Sequence, residues 1–209
     1  FSGAGTLQFT SQFDLNANRG IVLPDNAALA GSIDTNSFNV SAPGPIAGNG
    51  GFAKIGAGTL TVSSILSGGA VTASSGVLQV AHTASGTNVI SAASVAVAPG
   101  AQLDLTNNKL ITASDIGSFD GTSYTGVTGL IASGRNGGAW NGSGIITSES
   151  YAASPSILTT LAIATGAQVK NLAAGETAIW AGQTVSDTST LVMYTYAGDA
   201  NLDGKIDAD

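Results

Sequence analysis

Residues 199–209, Asp-Ala-Asn-Leu-Asp-Gly-Lys-Ile-Asp-Ala-Asp, set side-chain oxygens at alternate positions on either side of a glycine. Such spacing suits a hard cation. Calcium takes about six to eight oxygens at roughly 2.3–2.6 Å, and loops of the D-x-[DN]-x-[DN]-G type supply them from alternate positions before closing on a bidentate acid at the twelfth. Counting from Asp199, Asn201 and Asp203 stand third and fifth, Gly204 permits the bend, the Lys205 carbonyl stands seventh and Asp207 ninth. Asp199, Asn201, Asp203, Lys205 and Asp207 are therefore the candidate calcium ligands, and Ile206 is expected to hold the loop against its support. The twelfth position falls at residue 210, one beyond Asp209, so the loop is expected to be truncated or completed by another group. The competing reading is an acidic, solvated tail.

The remaining chemistry-bearing residues are sparse. Glycoside hydrolysis needs two carboxylates roughly 5–10 Å apart across a cleft. Between Thr35 and Leu103 the only formally charged side chain is Lys54, and Asp104 stands alone just beyond. His82, the only histidine, has no acid near it in sequence and reads as a hydrogen-bonded strand end rather than a base or metal ligand. Asp115 and Asp120 flank Gly117-Ser-Phe119 and read as turn formers, with a second oxygen-rich site as the alternative. Trp140, in the glycine-rich stretch 137–142, is the better of the two tryptophans for stacking on a sugar. No residue is assigned a catalytic role, and the chain reads as a non-enzyme.

Composition narrows the partners. The 209 residues are 43% hydrophobic and contain no cysteine, which gives enough material for a core and excludes disulfides and thiolate metal sites. Charged residues are 9%, against about 25% in an ordinary domain. A net charge of −7 with only six Lys and Arg argues against nucleic acid and anionic membranes, which need clustered basic residues. No apolar run is long enough for membrane insertion. The start at Phe1, without a methionine or signal peptide, suggests a processed or excerpted piece.

The elements that must carry these residues are short strands. Gly-Ala-Gly-Thr-Leu occurs at residues 3–7 and 56–60, each time running into an alternating stretch. Leu60, Leu78 and Val95 then recur at 18 and 17 residues, without helices between them. This texture predicts an all-β fold, a right-handed parallel β-helix (β-solenoid) over 1–110, in preference to a two-sheet sandwich. Leu7, Phe9, Leu60, Val62, Leu78, Val80, Val95, Val97, Leu103 and Leu105 are the expected interior residues. The pattern changes near Ile111. A small β-rich capping domain is expected over 111–196, with a helix at 124–135 and strands at 158–164, 177–180 and 190–196, before the loop segment 197–209.

The segment Gly50-Gly-Phe-Ala-Lys-Ile-Gly-Ala-Gly-Thr-Leu-Thr-Val-Ser63 resembles the autotransporter-associated β-strand repeat of bacterial surface proteins. Residues 19–40, with Arg19-Gly-Ile21, Ile33-Asp-Thr-Asn36 and Phe38-Asn-Val40, look like the segment that precedes it. Gly137-Gly-Ala-Trp-Asn-Gly-Ser-Gly-Ile145 and Tyr194-Thr-Tyr-Ala-Gly-Asp-Ala-Asn-Leu-Asp-Gly204 are similar to the tail of such proteins in planctomycete-type bacteria, where it runs into a dockerin-like calcium module. A dockerin carries two such loops with helices, and this sequence holds part of one. The resemblance implies an exported, extracellular stalk or filament subunit on a cell surface, without enzymatic activity and with Ca2+ as its ion. A carbohydrate-binding adhesin or anchoring component is the alternative. Head-to-tail self-association, or stacking on neighbouring repeats of a longer parent, is the expected partnership, with Asp14 and Asp25 the acids closest in sequence to the open edge at Phe1.

Overall fold

In the computed structural model, which describes residues 1–153 and 155–206, the chain winds as a parallel β-solenoid of about 4 turns. Each rung uses short apolar strands, with Gly, Asn, Pro and Ser in the turns between them. β1 (Thr6–Gln8) and β2 (Ile21–Val22) lie at the N-terminal end, and β3 (Ala30–Asp34), β4 (Val40–Ala42) and β5 (Ile46–Gly48) form the next rung. β6 (Gly51–Ile55), β7 (Thr59–Val62) and β8 (Ile65–Ala73) follow, then β9 (Val77–Val80), β10 (Val89–Val97), β11 (Gln102–Asp104) and β12 (Lys109–Thr112). β8 is long enough to turn a corner: its first half pairs with β5 and its second with β6. Three parallel stacks result, β1-β3-β6-β8-β10, β4-β7-β9-β11 and β2-β5-β8-β10-β12.

In-register pairing puts like residues on like. Ile21, Ile46, Ile65, Ile90 and Leu110 form one column, and Val40, Leu60, Leu78 and Leu103 another. Burying each such side chain is worth about 1.5–3 kcal/mol. Phe9, Leu60, Val62, Leu78, Val80, Val95, Leu103 and Leu105 are interior as expected, and Val97 is half-buried. Leu7 is 39% exposed instead. It shares the column of Ile33, Lys54 and Ala73, but β1 ends its stack and no rung covers it. The expected series Leu60, Leu78, Val95 holds for its first step only. Leu78 stacks on Leu103 and Val95 on Val71, because the rung lengthens from 18 residues, Leu60 to Leu78, to 25, Leu78 to Leu103. The second copy of the pentapeptide needs its glycines for contact between rungs: Gly56 has φ 81°, and a Cβ at Gly58 would lie 1.9 Å from the Phe38 carbonyl oxygen.

Lys54 occupies an interior position between Ile33 and Ala73 and is fully buried. Its Nζ donates to Thr35 Oγ1 at 3.0 Å, to the Ser75 carbonyl at 2.9 Å, and to the carbonyls of Gly56 and Gly58. One ammonium thus ties together backbone from consecutive rungs at a corner. Burial pushes its pKa down to about 8, against the opposing pull of the Asp34 carboxylate.

After β12 the chain leaves the solenoid, forms α1 (Gly126–Arg135) and returns as β13 (Gly144–Ile146), which pairs in parallel with β11. Val127 and Ile131 of α1 are buried and Leu130 is partly so, which seats one apolar face of the helix on the main core. Next come β14 (Thr159–Thr165), α2 (Gly166–Lys170), the hairpin of β15 (Thr177–Trp180) and β16 (Gln183–Ser186), and β17 (Thr190–Tyr196). Sequence periodicity did not signal α2, which Thr165 and Gln168 start with a reciprocal capping box. β17 runs antiparallel to β12 and β14 antiparallel to β17, which ends the parallel winding. The change of texture at Ile111 therefore does not separate the sheets: β12, β13 and β17 continue them past residue 110. A second, smaller core of Val89, Ile111, Ala164, Trp180, Val185, Leu191 and Leu202 lies under this cap. No helix among the described residues is long and apolar enough to cross a membrane.

Leu78→Ala, at a site without solvent exposure, is expected to cost about 2–5 kcal/mol in urea unfolding. Lys54→Met leaves three corner carbonyls without their donor and is expected to cost about 1–3 kcal/mol at neutral pH. The folded lysine releases its proton near pH 8 and the unfolded one near 10.5, so between those values the unfolded state binds more protons and stability rises with pH. Unfolding curves across that window should show a rise in the parent protein that is reduced in Lys54→Met.

Candidate functional site

The loop that follows β17 is built around one buried carboxylate. Asp199 is 3% exposed. Its Oδ2 accepts hydrogen bonds from Thr195 Oγ1 and from the Gly204 amide at 2.9 Å, and its Oδ1 accepts from the Asp203 amide at 3.2 Å. These donors offset the cost of taking a charge out of water. Asn201 Oδ1 accepts from the Asp203 amide at 3.1 Å, and Asp203 Oδ1 from the Lys205 amide at 2.9 Å. Gly204 makes the bend with φ 87°.

The structure thus gathers Asp199, Asn201, Asp203 and Lys205 into a single turn, while Asp207 lies outside the described residues. The donors are all hard oxygens, the set calcium prefers. Among the described residues no three of His, Cys, Asp and Glu come together, since the third position is an asparagine and Asp207 is not described. The turn nevertheless fits a hard cation by chemistry. Asp203 Oδ2 and the second lone pairs of Asp199 and Asn201 remain available beside the internal bonds. The anchoring residue differs from expectation: Ile206 is 64% exposed, whereas Leu202 is buried in the cap core with Trp180 and Leu191. A positive φ of 55° at Leu202 turns the fourth loop position, rather than the eighth, toward the protein.

Trp140 is not a surface platform. It is 4% exposed and its Nε1 donates to the Ala152 carbonyl at 2.9 Å, which removes it as a sugar-stacking residue. Within the otherwise largely exposed glycine-rich stretch, the Trp140 ring turns inward and joins the main core. His82 gains an acid that its sequence neighbours lack: its Nδ1 lies 2.7 Å from Glu149 Oε1, because β13 stacks in the same sheet as β9. The pair is largely solvent-exposed on the histidine side and adds little stability. Asp115 and Asp120 accept backbone amides two and three residues ahead, as turn formers do. Those amides hold the Asp120 carboxyl below its ordinary range. Asp14 and Asp25 accept from the Ser41 amide and Asn49 Nδ2, so both are committed to joining rungs.

Beside the loop is a cleft of about 480 Å³ that no sequence motif marks. Tyr151, Leu158, Thr159, Met193, Tyr194 and Tyr196 line it, and Gly204 of the loop closes one side. Its one legible trace is the Tyr194-Thr-Tyr196 alternation, which puts two rings on the same face of β17. Tyr194 Oη accepts from Thr159 Oγ1 at 2.8 Å, and burial pushes its phenol pKa up. No protein-family model, curated protein or solved structure matches the chain.

Asp199→Ala is expected to free the Asp203 and Gly204 amides and the Thr195 hydroxyl, raising hydrogen exchange at those amides and costing about 1–3 kcal/mol without any metal present. Asp203→Ala removes only one solvent-side bond and should leave the Gly204 amide protected.

Proposed function

We propose that this chain is a non-enzymatic, extracellular structural protein, a stalk or filament subunit of a bacterial surface or matrix, whose C-terminal segment binds calcium. The observation that carries this reading is the joining of a rod filled by continuous apolar columns to a turn of hard oxygens seated on its cap. The resemblance of residues 50–63, 137–145 and 194–204 to exported repeat proteins supports it.

The way the acids are used supports the reading without catalysis. Asp14, Asp25, Asp104, Asp115 and Asp120 each accept hydrogen bonds that fix turns or join rungs, which leaves no paired carboxylates facing a cleft among them. Asp199, Asn201 and Asp203 would hold the ion with side-chain oxygens and Lys205 with its carbonyl, and Asp207 stands at the ninth position. Bound calcium would neutralise the crowded carboxylates and stabilise the cap by mass action. A calcium site near millimolar affinity suits an extracellular setting. At the other end, β1 presents an unpaired strand edge with Leu7, Phe13 and Val22 exposed, where a neighbouring coil or a second copy would stack.

Calorimetry with calcium tests the reading. The parent chain should release heat of binding in the roughly millimolar range, Asp203→Ala should abolish it, and a chain extended to carry Glu at position 210 should bind more tightly. Equal heats for all three proteins would reduce the segment to a solvated tail.

A further inference from the structure

The cleft on the cap has the chemistry of a ligand site, and nothing in the loop or the rod accounts for it. Its floor is Met193 and the half-buried Tyr194, and its walls are Tyr151, Leu158 and Tyr196, which stand 61%, 60% and 51% exposed. Exposing this much aromatic and aliphatic surface in one place is costly unless something covers it. At about 480 Å³ the cleft falls in the ordinary range of small-ligand sites, roughly 300–1,000 Å³.

The lining selects the ligand class. Among the described residues no Asp, Glu, Lys or Arg lines it, so a charged ligand would find no counter-ion there. Glu149, near enough to act on Tyr194, is already paired with His82. The hydroxyls of Tyr151 and Tyr196 have no partner among the described residues, whereas that of Tyr194 is held by Thr159. Apolar ring faces rimmed by solvent-facing hydroxyls match a ligand that is itself two-faced, with C–H groups on one side and hydroxyls at its edge. A protein partner fits less well, since a stable interface buries about 800 Å² on each side and the cleft is bounded by only a few side chains.

We infer that this cleft binds a short stretch of a neutral polysaccharide, with Tyr151 and Tyr196 stacking on successive sugar rings and Tyr194 forming the floor. This inference does not depend on calcium binding. It places glycan recognition on the cap, in tyrosines, where Trp140 is unable to supply it.

Titration calorimetry of the whole chain with cellohexaose, laminarihexaose, xylohexaose, mannohexaose and chitohexaose tests it, with hexagalacturonate as the anionic control. At least one neutral hexasaccharide should bind, and Tyr151→Ala and Tyr196→Ala should each weaken it by about tenfold or more. Tyr151→Phe, which keeps the ring, should retain most of the affinity. Both alanine variants remove exposed side chains, so unchanged thermal melting is expected and separates lost binding from lost folding. The inference is overturned if none of the neutral oligosaccharides binds, if the alanine variants bind as the parent does, or if only hexagalacturonate binds. It is also overturned if light scattering shows a dimer that Tyr151→Ala or Tyr196→Ala dissolves, which would give the cleft to a second copy.

Discussion

Parallel backbone pairing between successive rungs is the constraint on which the rest of this protein depends. Once β3, β6 and β8 are hydrogen-bonded in register, the side chain inward on one rung must sit directly over the inward side chain of the next. Columns of Ile, Leu and Val satisfy this with little adjustment, as Ile46, Ile65, Ile90 and Leu110 do. The same closeness of rungs leaves no space for a Cβ at Gly58. It also explains how a lysine survives inside: the corner where two rungs turn offers Lys54 enough carbonyls to replace water around its ammonium.

A parallel stack has no natural end, and each end here is treated differently. At the C-terminal side, β17 reverses direction against β12, and β14 reverses again, so the winding stops. This reversal creates a second small core, and both features with ligand chemistry depend on it. Leu202 plugs the loop after β17 into that core, while the outward face of β17 supplies Tyr194 and Tyr196 to the cleft. The cap thus holds both the proposed cation loop and the proposed glycan cleft, an arrangement that fits the proposed role as a surface stalk. At the N-terminal side, among the described residues, β1 ends its stack and Leu7 is only partly covered.

Scarcity of charge has a further consequence. With few acids available, nearly every one serves as an acceptor for a turn or a neighbouring rung, as Asp104 does for Gln79, Thr106 and Ser148. The loop at Asp199 uses the same device, a carboxylate gathering backbone amides, and differs in placing further oxygens close by. A solenoid turn and the proposed cation loop are here two uses of one local geometry.

Local sequence determined what depends on local periodicity. The repeated Gly-Ala-Gly-Thr-Leu and the alternation after it marked a parallel solenoid, the strands Thr177–Trp180 and Thr190–Tyr196 were legible to the residue, and the spacing after Asp199 marked a turn of oxygens. Rung length was not legible, because turns of different length return the chain to the same register, and only pairing revealed that Leu78 lies over Leu103 while Val95 lies over Val71. Nor was burial, since Lys54, Trp140 and Leu202 owe theirs to rungs and strands distant in sequence, and Ile206, equally apolar, has none to cover it. The His82–Glu149 pair and the tyrosine cleft join residues tens of positions apart. Periodicity is written between neighbours along the chain, whereas columns, pairs and clefts are set by which rung lands on which, and tertiary structure alone decides that.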